Sequence, residues 1–139
     1  MIRKFALIFG IIYVLAGLSG FIPAMTPHSH DMPPIAVDSF YGRALGLFPV
    51  NLLHNLVHLL IGAWGIVGSR SVGGARLFAR GLAIFYGLLA ILGLIPATNT
   101  MFGLVPIYGH DVWLHAGTAL IAAYFGFVAR DDSGAPART

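Results

Sequence analysis

Four long apolar runs constrain this chain more than any other feature. They cover about residues 5–21, 50–67, 77–95 and 107–128, and each approaches the roughly 20 residues that a helix needs to cross a bilayer. Hydrophobic residues make up 58% of the sequence and charged residues only 9%. Soluble domains contain about 25% charged residues. The sequence therefore predicts an all-α integral membrane protein, a four-helix bundle whose surroundings are the lipid bilayer.

The basic residues predict how the chain is oriented. Of the eight Lys and Arg residues, only Arg43 lies in the loop after the first run or the loop after the third. The other seven lie at the opposite ends of the runs, which the positive-inside rule assigns to the cytoplasm. We therefore expect one domain over residues 1–130 in the cytoplasmic (inner) membrane, both termini inside, and a flexible tail over 131–139. The basic residues form no patch with interleaved aromatics, so no nucleic-acid partner is expected.

An internal repeat relates the two halves of the chain. At one constant offset, Gly46, Pro49, His54 and His58 align with Gly103, Pro106, Asp111 and His115, and the first and third runs also align, with Tyr13, Gly20 and Pro23 opposite Tyr86, Gly93 and Pro96. Both halves begin on the same side, so the sequence predicts two parallel helical-hairpin repeats about an axis along the membrane normal. Each shared proline is expected in the first turn of its helix.

Polar residues recur at helical spacing on the second and fourth runs. The two stripes are Asn51, His54, Asn55 and His58 on one helix, and Tyr108, Asp111, His115 and Thr118 on the other. Counting inward at 1.5 Å per residue places His58 and His115 near mid-membrane, with His54 and Asp111 one turn above. His110 falls on the other side of its helix. Ionisable groups at this depth are costly and mark functional sites by default.

Two kinds of cofactor suit these residues. His58 and His115, at one level on facing helices, predict an axial pair for haem b. His54, His58, Asp111 and His115 together would suit a divalent metal ion such as zinc or iron. Either cofactor would serve electron transfer or sensing. There is no cysteine, so thiolate and iron–sulfur sites are excluded.

Two other interpretations stay open. The histidines could only hydrogen-bond between helices, as polar residues do in membrane bundles, which would indicate a structural or interaction protein. The chain could also be a channel or carrier subunit, in which case a homo-oligomer is expected. No nucleophile elbow, phosphate loop or His-Glu-x-x-His motif is present, which favours a non-enzymatic role.

The loop between the first two runs carries a second group of possible ligands. His28, His30 and Asp31 lie close together in a turn-rich segment, and we expect them to be solvated rather than to hold a metal ion. The segment after it, Asp38 to Tyr41, predicts a short interfacial helix.

The two histidine-bearing motifs resemble a known family. Asn51-x-x-His54-Asn55-Leu56-Val57-His58 and Asp111-x-x-Leu114-His115 resemble bacterial small membrane proteins grouped as domain of unknown function 4383. The resemblance covers the four runs. It implies a four-helix inner-membrane protein and brings no activity, substrate or cofactor. The residues around Asp111 depart from the Asn-x-x-Asp-Asn pattern that is frequent in the family.

Overall fold

The computed structural model describes residues 1–129 and is mostly helical. The predicted tail, residues 131–139, lies outside the described residues. Four α-helices are present in this part: α1 (Ile2–Ser19), α2 (Leu52–Gly68), α3 (Val72–Leu94) and α4 (His110–Ala123), the last continued by a π-helical turn, Tyr124–Val128. The loop between α1 and α2 contains a 3₁₀ turn, Pro23–Met25, and two short strands, β1 (Gly42–Ala44) and β2 (Phe48–Val50).

The helices expose apolar side chains on their outer surface and bury a group of polar side chains, which is the arrangement of a membrane protein. Leu60 and Leu120 are 71% and 73% exposed, whereas the His54, Asp111 and His115 side chains are at most 3% exposed. In water, exposed leucines and buried ionisable side chains would both be unfavourable. In lipid, apolar side chains favour the outer surface and polar side chains favour the interior. Three helical segments, Ile2–Ser19, Val72–Leu94 and His110–Val128, are long and apolar enough to cross a membrane. The apolar helix α2 is shorter, at 17 residues.

The helices pack as two antiparallel hairpins. The α1–α2 and α3–α4 contacts are by far the most extensive, and the hairpins meet where α3 packs on α1 and α2. Small residues allow close approach in the first hairpin. A Cβ added to Gly62 would lie 2.6 Å from Val14 Cγ2 and 2.7 Å from the Gly10 carbonyl oxygen, so glycine is required there.

The interior has an apolar half and a polar half. The apolar half lies near the end that contains the N-terminus of α1, where Phe5 stacks on Phe125 with ring centroids 4.5 Å apart and also contacts Phe78. Toward the other end, the interior contains the histidines of α2 and α4. The buried residues that could ligate a metal ion or transfer a proton therefore lie in the half of the bundle next to the β1–β2 hairpin.

The observed helix bounds differ from the predicted runs for local reasons. Helix α2 begins at Leu52 because Asn51, in extended conformation, accepts a hydrogen bond from the His54 N–H and caps the helix. Helix α3 begins five residues before the predicted position 77, since Ser71 provides the same kind of cap. Neither shared proline lies in the first turn of its helix. Pro49 belongs to β2, and Pro106 lies in the irregular segment that leads to α4.

The small β-hairpin is the feature that an all-α prediction missed. Strands β1 and β2 pair antiparallel, with Arg43 opposite Pro49. Leu45 and Gly46 at the tip have φ of 53° and 73°, and the short interfacial helix expected at residues 38–41 is a turn instead. The hairpin was missed because three-residue strands are too short to show alternation in the sequence.

Candidate functional site

The two polar stripes meet where α2 faces α4 across the seam between the hairpins. His54 Nε2 lies 4.0 Å from Asp111 Oδ2, and His115 Nε2 lies 3.4 Å from the same oxygen. His115 follows Asp111 by one turn on α4, whereas His54 comes from α2. The first turn of each helix therefore brings an imidazole and a carboxylate together from different halves of the chain.

This His54–Asp111–His115 cluster could hold a metal ion. One ligand atom from each residue lies within 4.8 Å of the others, and all three residues are buried. Of the described residues, no other three His, Cys, Asp or Glu side chains meet in this way. Two imidazole nitrogens and a carboxylate oxygen form a donor set that binds zinc or iron(II). The backbones of Pro49 and Pro106 also approach the His54 ring, from corresponding positions in the two halves.

Several polar atoms of the cluster have no hydrogen-bond partner among the described residues. Asp111 Oδ2 and the Nδ1 atoms of His54 and His115 are buried and make no hydrogen bond there. At 3.4 Å, the approach of His115 Nε2 to Asp111 is an ion-pair distance rather than a well-formed hydrogen bond. Buried polar atoms without partners each cost about 1–3 kcal/mol, so such a group requires an explanation.

A second layer of ring side chains lies next to the cluster. The His58 ring is 4.5 Å from that of His54 and 5.3 Å from that of Tyr13. The Tyr86 ring is 4.8 Å from that of His115 and 5.4 Å from that of Tyr13. The helical spacing of the polar residues predicted His58 as a site residue but neither tyrosine. Their signal was present in the repeat, because Tyr13 and Tyr86 align with each other.

The other predicted polar residues have different surroundings. Thr118 is buried beside the tyrosines, where Tyr13 is within hydrogen-bonding reach of it. Asn55 is buried against Gly20 of α1, and its amide makes no hydrogen bond within the described residues. Asn51 joins the loops, because its Nδ2 donates to the carbonyls of Val37 (2.8 Å) and Leu104 (2.7 Å). Neither asparagine belongs to the His54–Asp111–His115 cluster.

Tyr108 lies outside the cluster, in the loop before α4. Its hydroxyl is 2.7 Å from the hydroxyl of Tyr41, which in turn donates to the Pro33 carbonyl. Burial raises the pKa of both tyrosines above the ordinary value. The pair therefore stays protonated at neutral pH and joins the two outer loops.

The loop histidines do not assemble into a site. His28 Nδ1 is 3.2 Å from the Tyr41 carbonyl oxygen, and its ring contacts the ring of Tyr41. Asp31 pairs with Arg43 at 2.8 Å instead of turning toward His28. His110 is exposed at the start of α4. These contacts direct His28 and Asp31 to different partners.

The cavity between the two hairpins limits the size of a bound ligand. The cavity that contacts His54, His58 and His115 on the α3 side has a volume of about 180 Å³. Pockets for cofactor-sized molecules usually measure about 300–1,000 Å³. A metal ion fits between the hairpins with only small movements of the ligand side chains, whereas a porphyrin exceeds this cavity. The haem b prediction stays untested, since a larger groove also borders His58 and His115.

Helical hairpins with apolar outer faces and a buried His–Asp cluster define a helical membrane protein. The chain matches the family described as domain of unknown function 4383 over residues 3–128, and it belongs to that family. The membership predicted from the two histidine motifs is thereby confirmed. No curated protein and no solved structure matches the chain.

Proposed function

We propose that this protein binds a divalent transition-metal ion inside the membrane, with His54, Asp111 and His115 as ligands. One observation carries the proposal: a buried carboxylate oxygen lies 3.4 and 4.0 Å from two imidazole nitrogens and makes no hydrogen bond in the described residues. A bound cation would provide the missing partner, and small movements would bring all three atoms to the ligand distances of about 2.0–2.2 Å.

The donor set favours zinc or iron(II). Neutral imidazole nitrogens suit borderline metals, whereas calcium and magnesium prefer sites made of oxygen ligands. Three protein ligands leave coordination positions open. The His58 ring, 4.5 Å from that of His54, is the side chain placed to act as a fourth ligand or to contact a molecule bound to the metal.

The position of the ligands suggests a sensing role. His54 belongs to one hairpin, and Asp111 and His115 belong to the other, while α4 itself makes few close backbone approaches to α2. A metal ion would therefore join two units that are otherwise connected mainly through α3. If the metal ion binds more tightly in one arrangement of the two hairpins than in another, binding shifts the population toward that arrangement. Such a shift is the physical basis of a switch.

We further propose four crossings with both termini in the cytoplasm. Helix α2, about 25 Å long at 1.5 Å per residue, packs along α1 and would return the chain through the membrane. Arg3 Nε donates to the Ser69 carbonyl, so the N-terminus and the α2–α3 turn lie at the same end of the bundle. Arg70 and Arg76 belong to that end as well, which supports the inside assignment.

The experiment is metal analysis of the protein purified without added chelator. We expect about one zinc or iron per chain in the wild type, and a loss of affinity of at least about 100-fold in Asp111→Asn, since even outer-sphere substitutions cost about 10–100-fold. His110→Gln is the matched control, because His110 is adjacent on the same helix and exposed. Thermal unfolding of each variant shows whether it is folded.

Two outcomes would contradict the proposal. If the wild type neither retains metal nor gains thermal stability on titration with zinc or iron(II), the polar cluster is only an interhelical contact. The fully bonded Asn51 shows that the same bundle also uses polar residues purely for structure. A Soret absorption band would instead support haem b on His58 and His115.

A further inference from the structure

A groove runs between α1 and α4 on the side of the bundle that faces the membrane. These two helices make few close approaches, and the groove they leave has a volume of about 370 Å³. Its rim consists of apolar side chains such as Ile12, Trp113 and Ile121, which are 51%, 69% and 47% exposed. Since lipid contacts this surface, any occupant would enter from the bilayer rather than from water.

The base of the groove is polar. His58, Tyr13 and Thr118 line it, and all three are at least nine-tenths buried. His58 Nδ1 makes no hydrogen bond in the described residues. A buried, unpaired imidazole nitrogen in an otherwise apolar wall requires a partner of its own. The occupant should therefore combine an apolar body with a polar group that hydrogen-bonds to imidazole and hydroxyl groups.

Charge and shape narrow the choice of occupant. The residues that line the groove, all of them described, include no Lys, Arg, Asp or Glu, so nothing there would balance a phosphate or an ammonium group. Phe9, Tyr13 and Tyr86 supply aromatic walls, which favour a planar ring by offset or edge-to-face stacking. The volume lies within the usual range for small-molecule pockets.

We propose that this groove binds a lipid-soluble quinone, whose ring carbonyls accept hydrogen bonds from His58 and the neighbouring hydroxyls. The tail would leave between α1 and α4 into the lipid. The proposal goes beyond the metal site and does not depend on it, because the groove lining requires no metal ion. His58 and His115 border both the groove and the cluster, so the two sites would adjoin each other.

The test uses a decyl-substituted benzoquinone and the metal-free protein in lipid nanodiscs. The chain has two tryptophans, of which Trp113 lines the groove and Trp64 does not. In Trp64→Phe, we expect saturable quenching of the remaining Trp113 fluorescence. In Trp113→Phe, the remaining Trp64 should show only the weak quenching of a dissolved quinone.

Two glycines provide a matched pair of variants. A Cβ at Gly117, in the groove, and a Cβ at Gly73, near the start of α3, would each meet open space. Both leucine variants should therefore fold. In the Trp64→Phe background, Gly117→Leu should weaken quinone binding at least 10-fold by filling the groove, whereas Gly73→Leu should leave it unchanged. The metal content of the two variants as purified, before metal is removed for the quinone test, should stay the same, which separates this proposal from the metal site.

Three results would overturn the proposal. Quinone binding that is unchanged in Gly117→Leu would place the ligand elsewhere. Displacement of the quinone by 1-decanol at equal concentration would show that the groove takes any alkyl chain and does not recognise the ring. A haem Soret band that disappears in Gly117→Leu would assign the groove to haem instead.

Discussion

The two helical hairpins differ in how closely their helices approach at two of their glycines. In the first hairpin, a Cβ at Gly65 would lie 2.8 Å from Gly10 Cα, so α1 and α2 touch backbone to backbone. In the second, the nearest neighbour of a Cβ at Gly87 is Ala119 Cβ at 4.0 Å, an ordinary van der Waals contact. Interhelical packing in lipid depends on such close fits. At these two glycines the first hairpin is therefore the more tightly packed, whereas the second hairpin approaches closely near its end, where a Cβ at Gly126 would lie 3.0 Å from Arg80 N.

The hairpins also differ in the side chains at corresponding positions. Gly20 packs on Asn55 in the first, and Gly93 packs on Val112 in the second, at positions that the repeat aligns. Leu45–Gly46 and Phe102–Gly103 share positive φ at the same offset. These agreements support the repeat, which stays a prediction. His54 of the first hairpin faces Asp111 of the second, the residue with which the sequence repeat aligns it. A basic side chain therefore meets an acidic one where the two hairpins pack together.

The first prediction tests the difference in packing and has the largest expected effect. Gly62→Ala should lower the free energy of unfolding by about 2–3 kcal/mol, because the new methyl group collides with Val14 and with the Gly10 backbone. Gly87→Ala should be neutral or raise stability by up to about 1 kcal/mol, since alanine favours the helix and meets no close atom. Unfolding in mixed micelles measures both variants.

Equal stability of these two alanine variants would contradict the packing difference. Loss of assembly in Gly62→Ala with unchanged helix content would instead show that the helices form and that α1 and α2 fail to pack together. Circular dichroism and size-exclusion chromatography distinguish the two outcomes.

Helical spacing and depth were sufficient to predict most of the side chains that meet in the candidate site. His54, Asp111 and His115 were predicted because polar residues on one helix face, inside an apolar run, have few alternatives to the bundle interior. The tyrosine layer and the lateral groove could not be read in this way. Both depend on how the two hairpins dock, and that docking is set by contacts of α3 with the first hairpin, such as Phe78 against Phe5, between residues far apart in the sequence. Asn51 could be predicted as a helix cap, but its two other hydrogen bonds could not, because the Val37 and Leu104 carbonyls belong to loops distant in the sequence.

The second prediction exchanges the base and the acid across the seam. Asp111→His alone removes the carboxylate and should weaken zinc binding by about 10–100-fold, a loss of about 1.4–2.7 kcal/mol. Adding His54→Asp restores two imidazoles and one carboxylate in mirrored positions, and we expect most of the affinity to return. Isothermal titration with zinc measures the coupling. A double variant no tighter than Asp111→His alone would show that the hairpins are not equivalent as ligand carriers.

The third prediction compares corresponding loop positions and has the smallest expected effect. Asn51→Ala removes a helix cap and two loop hydrogen bonds and should cost about 2 kcal/mol, whereas Tyr108→Phe removes one hydroxyl pair and should cost about 1 kcal/mol. The raised pKa of Tyr108 means that its contribution is complete below the ordinary tyrosine pKa of about 10 and is lost only as the pH rises through the higher folded value. The Tyr108→Phe deficit, measured by thermal unfolding, should thus be equal at pH 6 and pH 8.5. A deficit that shrinks between these two values would show that the hydroxyl pair ionises early and that the second hairpin is joined to the loops by other contacts.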